Sequence, residues 1–222
     1  METLPEIRGR RRNARGQGAR LAGEIVAAAL ALIDREGTAE AVTLRAVARE
    51  IGIAAPSIYA HFTDRDAIVA AVTEQLFDDL TEAIRAGITT AGLDPVGRLV
   101  AGCEEYVRFG LGHPARYGVL FAGPGPDLGP EPDEPAVLRP GEPPTLLFGM
   151  EAFALLPEAI GRCVAAGSSA STDVVGDAIA VWVALHGTVT LRVARPRFPW
   201  PESVSGFVRQ LVLPLAKITV PA

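Results

Sequence analysis

Apolar residues in the first quarter of the chain recur at intervals of three and four, the spacing of one helical face. A first helix is predicted over residues 19–36 and ends at Gly37, and its apolar stripe consists of Ile25, Ala29, Leu32 and Ile33. A second helix is predicted after Thr43, a favourable N-cap residue, and its stripe consists of Leu44, Val47, Ala48 and Ile51. The chain therefore begins with two amphipathic helices separated by a short connection.

Two more helices are predicted close behind. Gly52 ends the second helix, and a third, short helix is predicted from Ala55 to about Phe62. Thr63 is the predicted N-cap of a fourth, long helix, with Asp66 three residues later in an arrangement similar to a capping box. This order gives one helix, then two short helices, then a second long one.

The helical spacing continues to the end of the chain with one interruption. The fourth helix is predicted to extend to about Ile88, and further helices are predicted over residues 95–111, 114–121, 145–166, 172–193 and 202–218. Residues 123–144 contain eight prolines and five acidic residues, which predicts a long loop. That loop is either a passive linker or a lid over a pocket.

Together these elements predict an all-α protein. We expect a flexible basic arm over residues 1–18, a three-helix helix-turn-helix domain over residues 19–65, and a C-terminal helical bundle over residues 66–222. The composition agrees, because 49% of the 222 residues are apolar and few apolar and polar residues alternate.

Several classes of protein are disfavoured by the same sequence. No apolar stretch looks long and uninterrupted enough to span a bilayer, and no secretory signal follows the N-terminal arginines, so we expect a soluble, cytoplasmic protein without membrane partners. Cys103 and Cys163 lie among apolar residues and are predicted to be reduced core thiols, with a redox switch as the alternative. We expect no cofactor and no metal site.

Charge is unevenly distributed along the chain. Residues 1–65 hold 10 Arg and Lys against 8 Asp and Glu, a net charge of +2, whereas the remainder holds 11 against 18, a net charge of −7. A basic end on an acidic body is typical of a nucleic-acid-binding domain joined to a second domain. In that interpretation the arm lies in a DNA minor groove. The alternative is that the arm is a solvated tail without a role in binding. The arm residues predicted to bind DNA are Arg10, Arg11, Arg12 and Arg15.

Residues 43–68 carry the pattern of a helix-turn-helix motif, in which two short helices meet at a turn that contains Gly52. The first helix braces the second in the DNA major groove. Ser57 can hydrogen-bond a base edge, and the methyl group of Ala60 can contact a thymine methyl. The positions predicted to form the core of the motif are all apolar: Leu44, Val47, Ala48, Ile51, Ile53 and Ile58.

The segment Ile58-Tyr59-Ala60-His61-Phe62, followed by Thr63-Asp64-Arg65-Asp66 and Ile68, resembles the signature of the tetracycline-repressor (TetR) family. That resemblance covers about residues 20–70. The sequence departs from the family pattern where Ala54 replaces a serine, Pro56 a glycine, and Arg65 a lysine.

The resemblance implies phosphate contacts from Thr43, Tyr59, His61 and Arg65, whose side chains can all donate hydrogen bonds to phosphate oxygens. The alternatives are that Tyr59 is only a core aromatic and that His61 is a surface residue without a role. The complete predicted DNA-binding set is Thr43, Arg45, Ala55, Pro56, Ser57, Tyr59, Ala60, His61 and Arg65.

The stretch from Ala180 to Gly187 also resembles part of the ligand-binding domain of one TetR subgroup. This resemblance implies that the last two long helices form a four-helix interface in a homodimer. Burial of these apolar faces within one subunit is the alternative. The predicted interface residues are Val175, Ile179, Val189, Val204, Phe207, Val208, Leu211 and Leu215.

A ligand pocket is expected between the helices of the bundle, where small-molecule sites are common. The effector is predicted to be small and largely apolar, although each wall residue can also be ordinary core. The predicted wall consists of Tyr106, Phe109, Tyr117, Phe121, Phe148, Met150, Phe153, Trp182 and His186.

No catalytic motif is recognisable, so an enzyme is disfavoured. The sequence predicts a ligand-responsive transcriptional regulator, in the family's usual mode a repressor, that binds double-stranded DNA at a near-palindromic operator as a homodimer. A helical scaffold that has lost DNA binding is the other alternative.

Overall fold

The structure is a computed structural model that describes residues 17–92, 94–121 and 149–219. The predicted arm, the Pro-rich loop and Phe148 lie outside these residues. The α-helices of the described part are α1 Gln17–Glu36, α2 Leu44–Glu50, α3 Arg65–Thr90, α4 Pro95–Gly112, α5 Pro114–Phe121, α6 Met150–Ala165, α7 Val174–Ala194 and α8 Val204–Leu215. Two 3₁₀ helices cover Ala39–Ala41 and Ala55–Ala60. The described residues form no β-strand, which agrees with the predicted all-α fold.

Two local predictions need correction. The third predicted helix is a 3₁₀ helix that ends at Ala60. No side chain caps its start, because the methyl side chain of Ala54 cannot accept a hydrogen bond. The N-cap of α3 is Asp64, whose carboxylate accepts a 2.8 Å hydrogen bond from the backbone N–H of Ala67. Thr63 instead donates its hydroxyl to Asp64, at 3.1 Å.

Residues 17–64, called the head from here on, pack around a small apolar core. Gly37 ends α1 with a φ of 81°, in the left-handed region that glycine tolerates best. The predicted core of the motif is confirmed, since Val47, Ala48 and Ile58 are buried and the other three positions pack against the core. The head therefore holds its two short helical segments on α1.

The body, residues 65–219 as far as described, is a helical bundle. Helix α4 lies at its centre and packs against α3, α5, α6, α7 and α8. Cys103 and Cys163 are free and buried, as predicted, and burial raises the pKa of the Cys103 thiol to about 12. Both cysteines are therefore core thiols.

Helix α7 corrects the expectation that no stretch could span a bilayer. Its 21 residues are long and apolar enough to do so by length and composition alone. The same test is passed by core helices of soluble proteins, and the inward residues of α7 are buried in the bundle: Ala178, Val181, Leu185 and Val189.

Among the described residues, Arg116 and Arg65 of the body each bind the head through their guanidinium groups. Arg116 of α5 forms a two-pronged ion pair with Asp34 of α1, with nitrogen–oxygen distances of 2.7 and 2.5 Å. Its hydrogen bonds hold the pKa of the Asp34 carboxyl below its ordinary value. Arg65, at the start of α3, donates to the carbonyl oxygens of Ala39 and Val42, both at 2.8 Å. The head is thus tied to the body at two separate points.

Candidate functional site

The first helix of the motif, α2, begins with a side-chain cap. The Thr43 hydroxyl accepts a 3.1 Å hydrogen bond from the backbone N–H of Ala46, so its lone pair is engaged while its proton remains available to an acceptor such as a phosphate. Arg45 is exposed one residue into the helix. Arg49, which the sequence interpretation missed, lies four residues later on the same face and is also exposed. The spacing of the two arginines was the signal that could have revealed it.

The 3₁₀ helix Ala55–Ala60 presents mainly polar and small side chains to solvent. Pro56, Ser57 and Ala60 are exposed, as predicted. Tyr59 is 62% exposed, which excludes the alternative that it is a core aromatic. Ala55 corrects the prediction in part, because it is half-buried and packs against the core.

His61 and Arg65 lie on either side of the turn into α3. The imidazole of His61 is half-buried. The guanidinium of Arg65 faces the head rather than pointing away from it: two of its nitrogens bind backbone carbonyls, and a third lies 3.2 Å from Asp66. The structure thus gives Arg65 a positioning role, and three of its five N–H donors are engaged before any phosphate arrives.

The body contains an apolar cavity of about 390 Å³ between α3, α4, α6 and α7. The only polar or ionisable side chains among its described lining residues belong to Arg98, Cys103, Tyr106 and Trp182. A cavity of this size and character suits a small molecule with an apolar body and few polar groups.

The predicted pocket residues divide into two groups. Tyr106, Phe121, Met150, Phe153 and Trp182 line the cavity. Three other predicted residues do not, for reasons of geometry given next, and Phe148 lies outside the described residues.

Phe109 lies one turn beyond the cavity on α4, with its ring centroid 5.5 Å from that of His113. Tyr117 and His186 lie behind the wall, where they extend a hydrogen-bonded chain from Tyr106. The two phenol oxygens are 2.8 Å apart, and the Tyr117 oxygen is 2.9 Å from Nδ1 of His186. These three residues do not line the cavity in this structure, and their contact with a ligand stays a prediction.

Burial determines the protonation states of Tyr106, Tyr117 and His186. It raises the pKa of Tyr106 to about 12, raises the pKa of Tyr117 above its ordinary value, and lowers the pKa of His186 below 6.5. With a neutral imidazole the three groups form a sequence of two hydrogen bonds, in which Tyr117 donates to one neighbour and accepts from the other. These two hydrogen bonds fix the orientation of α5 against α4 and α7.

Sequence interpretation missed the α3 side of the cavity. Phe77, Leu80, Ile84 and Ile88 form that wall at intervals of three and four residues. This spacing is visible in the sequence, whereas the predicted wall contains mainly aromatic residues of later helices. Arg98 was also missed, although an arginine between Val96 and Leu99 near the start of an apolar helix was the available signal.

The predicted interface residues also divide. Val175 and Ile179 of α7 are exposed, and Val183, which was not predicted, continues their face at 58% exposure. Ile179 additionally lines the cavity. Val189 and Val208 are fully buried in the core of this chain, which corrects their assignment to a face between subunits. Those that remain half-buried on α8 are Val204, Phe207, Leu211 and Leu215.

Comparison with known proteins matches both parts of the chain. Residues 25–72 match the family model of bacterial regulatory proteins of the tetR family. Residues 99–215, more than half of the chain, match the model of the tetracyclin repressor-like C-terminal domain. No curated protein sequence matches the chain.

Solved structures share the fold at low sequence identity. A protein of unknown function from Rhodococcus sp. RHA1 is 23% identical with a TM-score of 0.69, covering 88% of this chain and 91% of its own. A tetR-family regulatory protein from Rhodococcus RHA1 is 17% identical with a TM-score of 0.64, covering 90% and 98%. The fatty acid degradation regulator FadR from Bacillus halodurans is 16% identical with a TM-score of 0.62, covering 86% and 97%.

The two family models and the head described above lead to one assignment. The family consists of regulatory DNA-binding proteins rather than enzymes. This chain belongs to the tetracycline-repressor family and is a DNA-binding transcription regulator.

Proposed function

We propose that this regulator is a homodimeric, cytoplasmic repressor that binds a near-palindromic operator and leaves it when a small, largely apolar molecule fills the cavity. The observation that carries the proposal is the continuity of α3. This helix begins at Arg65, which holds the head, and its second half forms a wall of the cavity. At about 1.5 Å per residue its 26 residues span roughly 39 Å.

A second connection supports the same coupling. In α5, Arg116 binds Asp34 of the head, while the next residue, Tyr117, bonds to Tyr106 in the cavity wall. A ligand that displaces Tyr106 therefore acts on α5 as well as on α3. Such a ligand binds more tightly to the protein when its heads are not positioned for DNA than when they are. It therefore shifts the population away from the DNA-competent state.

The exposed face of α7 supports the homodimer. Val175, Ile179 and Val183 recur every four residues and are each about half exposed, which leaves an apolar stripe on the surface of one chain. Stripes of this kind are covered in protein assemblies. In a twofold dimer the stripe meets its own copy, and two heads then present their motifs to successive major grooves about 34 Å apart.

The test is selection of the tightest binders from random-sequence DNA, followed by titration of the selected operator. We expect a near-palindrome with major-groove spacing, and operator DNA and effector must weaken each other's binding by the same factor. An effector that binds equally well with and without operator contradicts the proposal.

The phosphate contacts are tested with Tyr59→Phe and His61→Ala. Tyr59 is so exposed that losing its hydroxyl leaves the fold intact, and binding should weaken equally for all DNA sequences, with a reduced salt slope. A changed sequence preference contradicts the phosphate assignment. If the affinity of the unaltered protein for DNA does not depend on salt, the result favours the alternative of a helical scaffold that has lost specific DNA binding.

A further inference from the structure

A second cavity of about 380 Å³ adjoins the apolar one between α3, α4 and α6. The two cavities share Ile88, Arg98, Leu155 and Ala159 as lining residues. The two cavities therefore adjoin at these residues, and a molecule bound in the apolar cavity lies within reach of Arg98.

The second cavity differs from the first in its charge. Its charged lining residues are three arginines, Arg85, Arg98 and Arg162, and one glutamate, Glu158. Glu158 is already engaged by Arg162, at 2.6 Å. Among the described residues, neither Arg85 nor Arg98 forms an ion pair with a carboxylate, so this cavity carries uncompensated positive charge.

Arg98 occupies the boundary between the two cavities. It is half-buried, and its Nε makes only a long hydrogen bond of 3.4 Å to the carbonyl oxygen of Ile88. The nearest carboxylate in sequence, Asp94, caps α4 through the backbone N–H groups of Val96 and Gly97. Partial burial of a guanidinium without a counter-charge is costly, and an anion at this position removes that cost.

We propose that the effector is an anionic amphiphile, with its apolar chain in the cavity beside Tyr106 and Trp182 and its carboxylate or phosphate at Arg98. The proposal rests on the ligand-responsive function proposed above and specifies the chemical class of the ligand. Arg85 lies in the same cavity and adds positive charge near the anion.

The test compares three probes with the same hydrocarbon chain below their micelle concentrations: dodecanoate, dodecyl phosphate and 1-dodecanol. Binding to the full-length protein is measured by isothermal titration calorimetry. A Trp200→Phe variant leaves Trp182 as the only tryptophan, so its fluorescence reports whether the probe enters the cavity.

Arg98→Met keeps most of the side chain's apolar volume and removes its charge. We expect this variant to lose about tenfold or more in affinity for the anionic probes and to bind dodecanol unchanged, as a charge-assisted contact requires. Arg98→Lys should recover much of the loss. Arg108→Met is the matched control, because Arg108 lies on the same helix, is exposed and lines neither cavity.

Each outcome decides the proposal. Tighter binding of either anionic probe than of dodecanol, lost in Arg98→Met alone, supports it, and the preferred probe identifies carboxylate or phosphate as the head group. Equal affinity for dodecanol, no effect of Arg98→Met, or no binding of any probe overturns it. If the proposal of an anionic ligand fails but a neutral apolar compound releases the protein from its operator, the proposed function still holds. The failure of the ligand class can therefore be distinguished from the failure of the function.

Discussion

Arg65→Met removes the guanidinium that ties the start of α3 to the head while keeping an unbranched side chain. The variant loses two hydrogen bonds of 2.8 Å to backbone carbonyls. Ala39 keeps a partner in the backbone N–H of Val42, but the carbonyl of Val42 loses the donor that Arg65 supplies.

Hydrogen bonds from charged groups contribute about 1.5–3 kcal/mol each, and the lower end applies because the Arg65 side chain is 38% exposed. We therefore expect a loss of about 2–3 kcal/mol in the free energy of unfolding. For a chain of this length that lowers the Tm by roughly 5–10 °C.

The assay is thermal unfolding by circular dichroism together with operator binding across a range of salt concentrations. Arg45→Met is the matched control, since Arg45 is exposed on α2 and makes no hydrogen bond to the described residues. We expect the control to keep its Tm and to lose DNA affinity with a smaller salt slope, as a residue that contacts phosphate does.

The positioning role and the phosphate contact make opposite predictions for Arg65. An unchanged Tm in Arg65→Met, combined with a reduced salt slope like that of Arg45→Met, would falsify the positioning role. It would return Arg65 to the set of phosphate contacts that the family resemblance implies.

Two further predictions concern the contacts around Tyr117. In Gly110→Ala the added Cβ would lie 2.6 Å from a Val189 methyl and 2.8 Å from the Tyr117 ring, so we expect the variant to be destabilised by about 1–3 kcal/mol in urea unfolding, while Gly118→Ala, with open space around it, is neutral or slightly stabilising. Equal effects of the two substitutions contradict the packing argument. Burial lowers the pKa of His186 below its ordinary value of 6.5. As the pH falls, the unfolded protein therefore binds a proton at His186 before the folded protein does. The free energy of unfolding is thus retained above pH 6.5 and decreases below it. We expect the Tm to fall between about pH 7 and pH 5 and this slope to flatten in His186→Gln; an identical slope in both proteins refutes the assignment.

The sequence was sufficient for the helices with strong local signals. The apolar stripe of α1 and Gly37 after it located that helix within two residues of its start. The first turn of α3 was less predictable, because Thr63 and Asp64 are both good N-cap residues. Only the backbone geometry selects Asp64, whose φ and ψ are extended at −156° and −173°.

The candidate site was less predictable in the body than in the head. In the head, exposure follows from local periodicity, and Tyr59, Ser57 and Pro56 are all on the surface as expected. In the body, Tyr117 and Phe121 are one helical turn apart, yet only Phe121 reaches the cavity. That difference depends on how α5 packs against α4 and α7, which periodicity within α5 does not contain.

Arg65 illustrates a limit of reasoning from family resemblance. The family pattern has a lysine here, and replacing it by arginine keeps the charge. The planar guanidinium can, however, bind two carbonyls at once, which the single nitrogen of a lysine does less well. The arginine at this position therefore makes a link within the protein in addition to the phosphate contact that the resemblance implies.

The unbroken course of α3 also determines how this regulator can be rebuilt. A helix advances about 100° and 1.5 Å with each residue, so a single insertion between Arg65 and Phe77 would rotate the head by about 100° relative to the cavity. An insertion of seven residues returns the head to within about 20° of its original orientation. Chimeras that combine this body with a foreign head must therefore preserve helical phase across the junction, and the allowed lengths of the connecting helix form a discrete series rather than a continuous range.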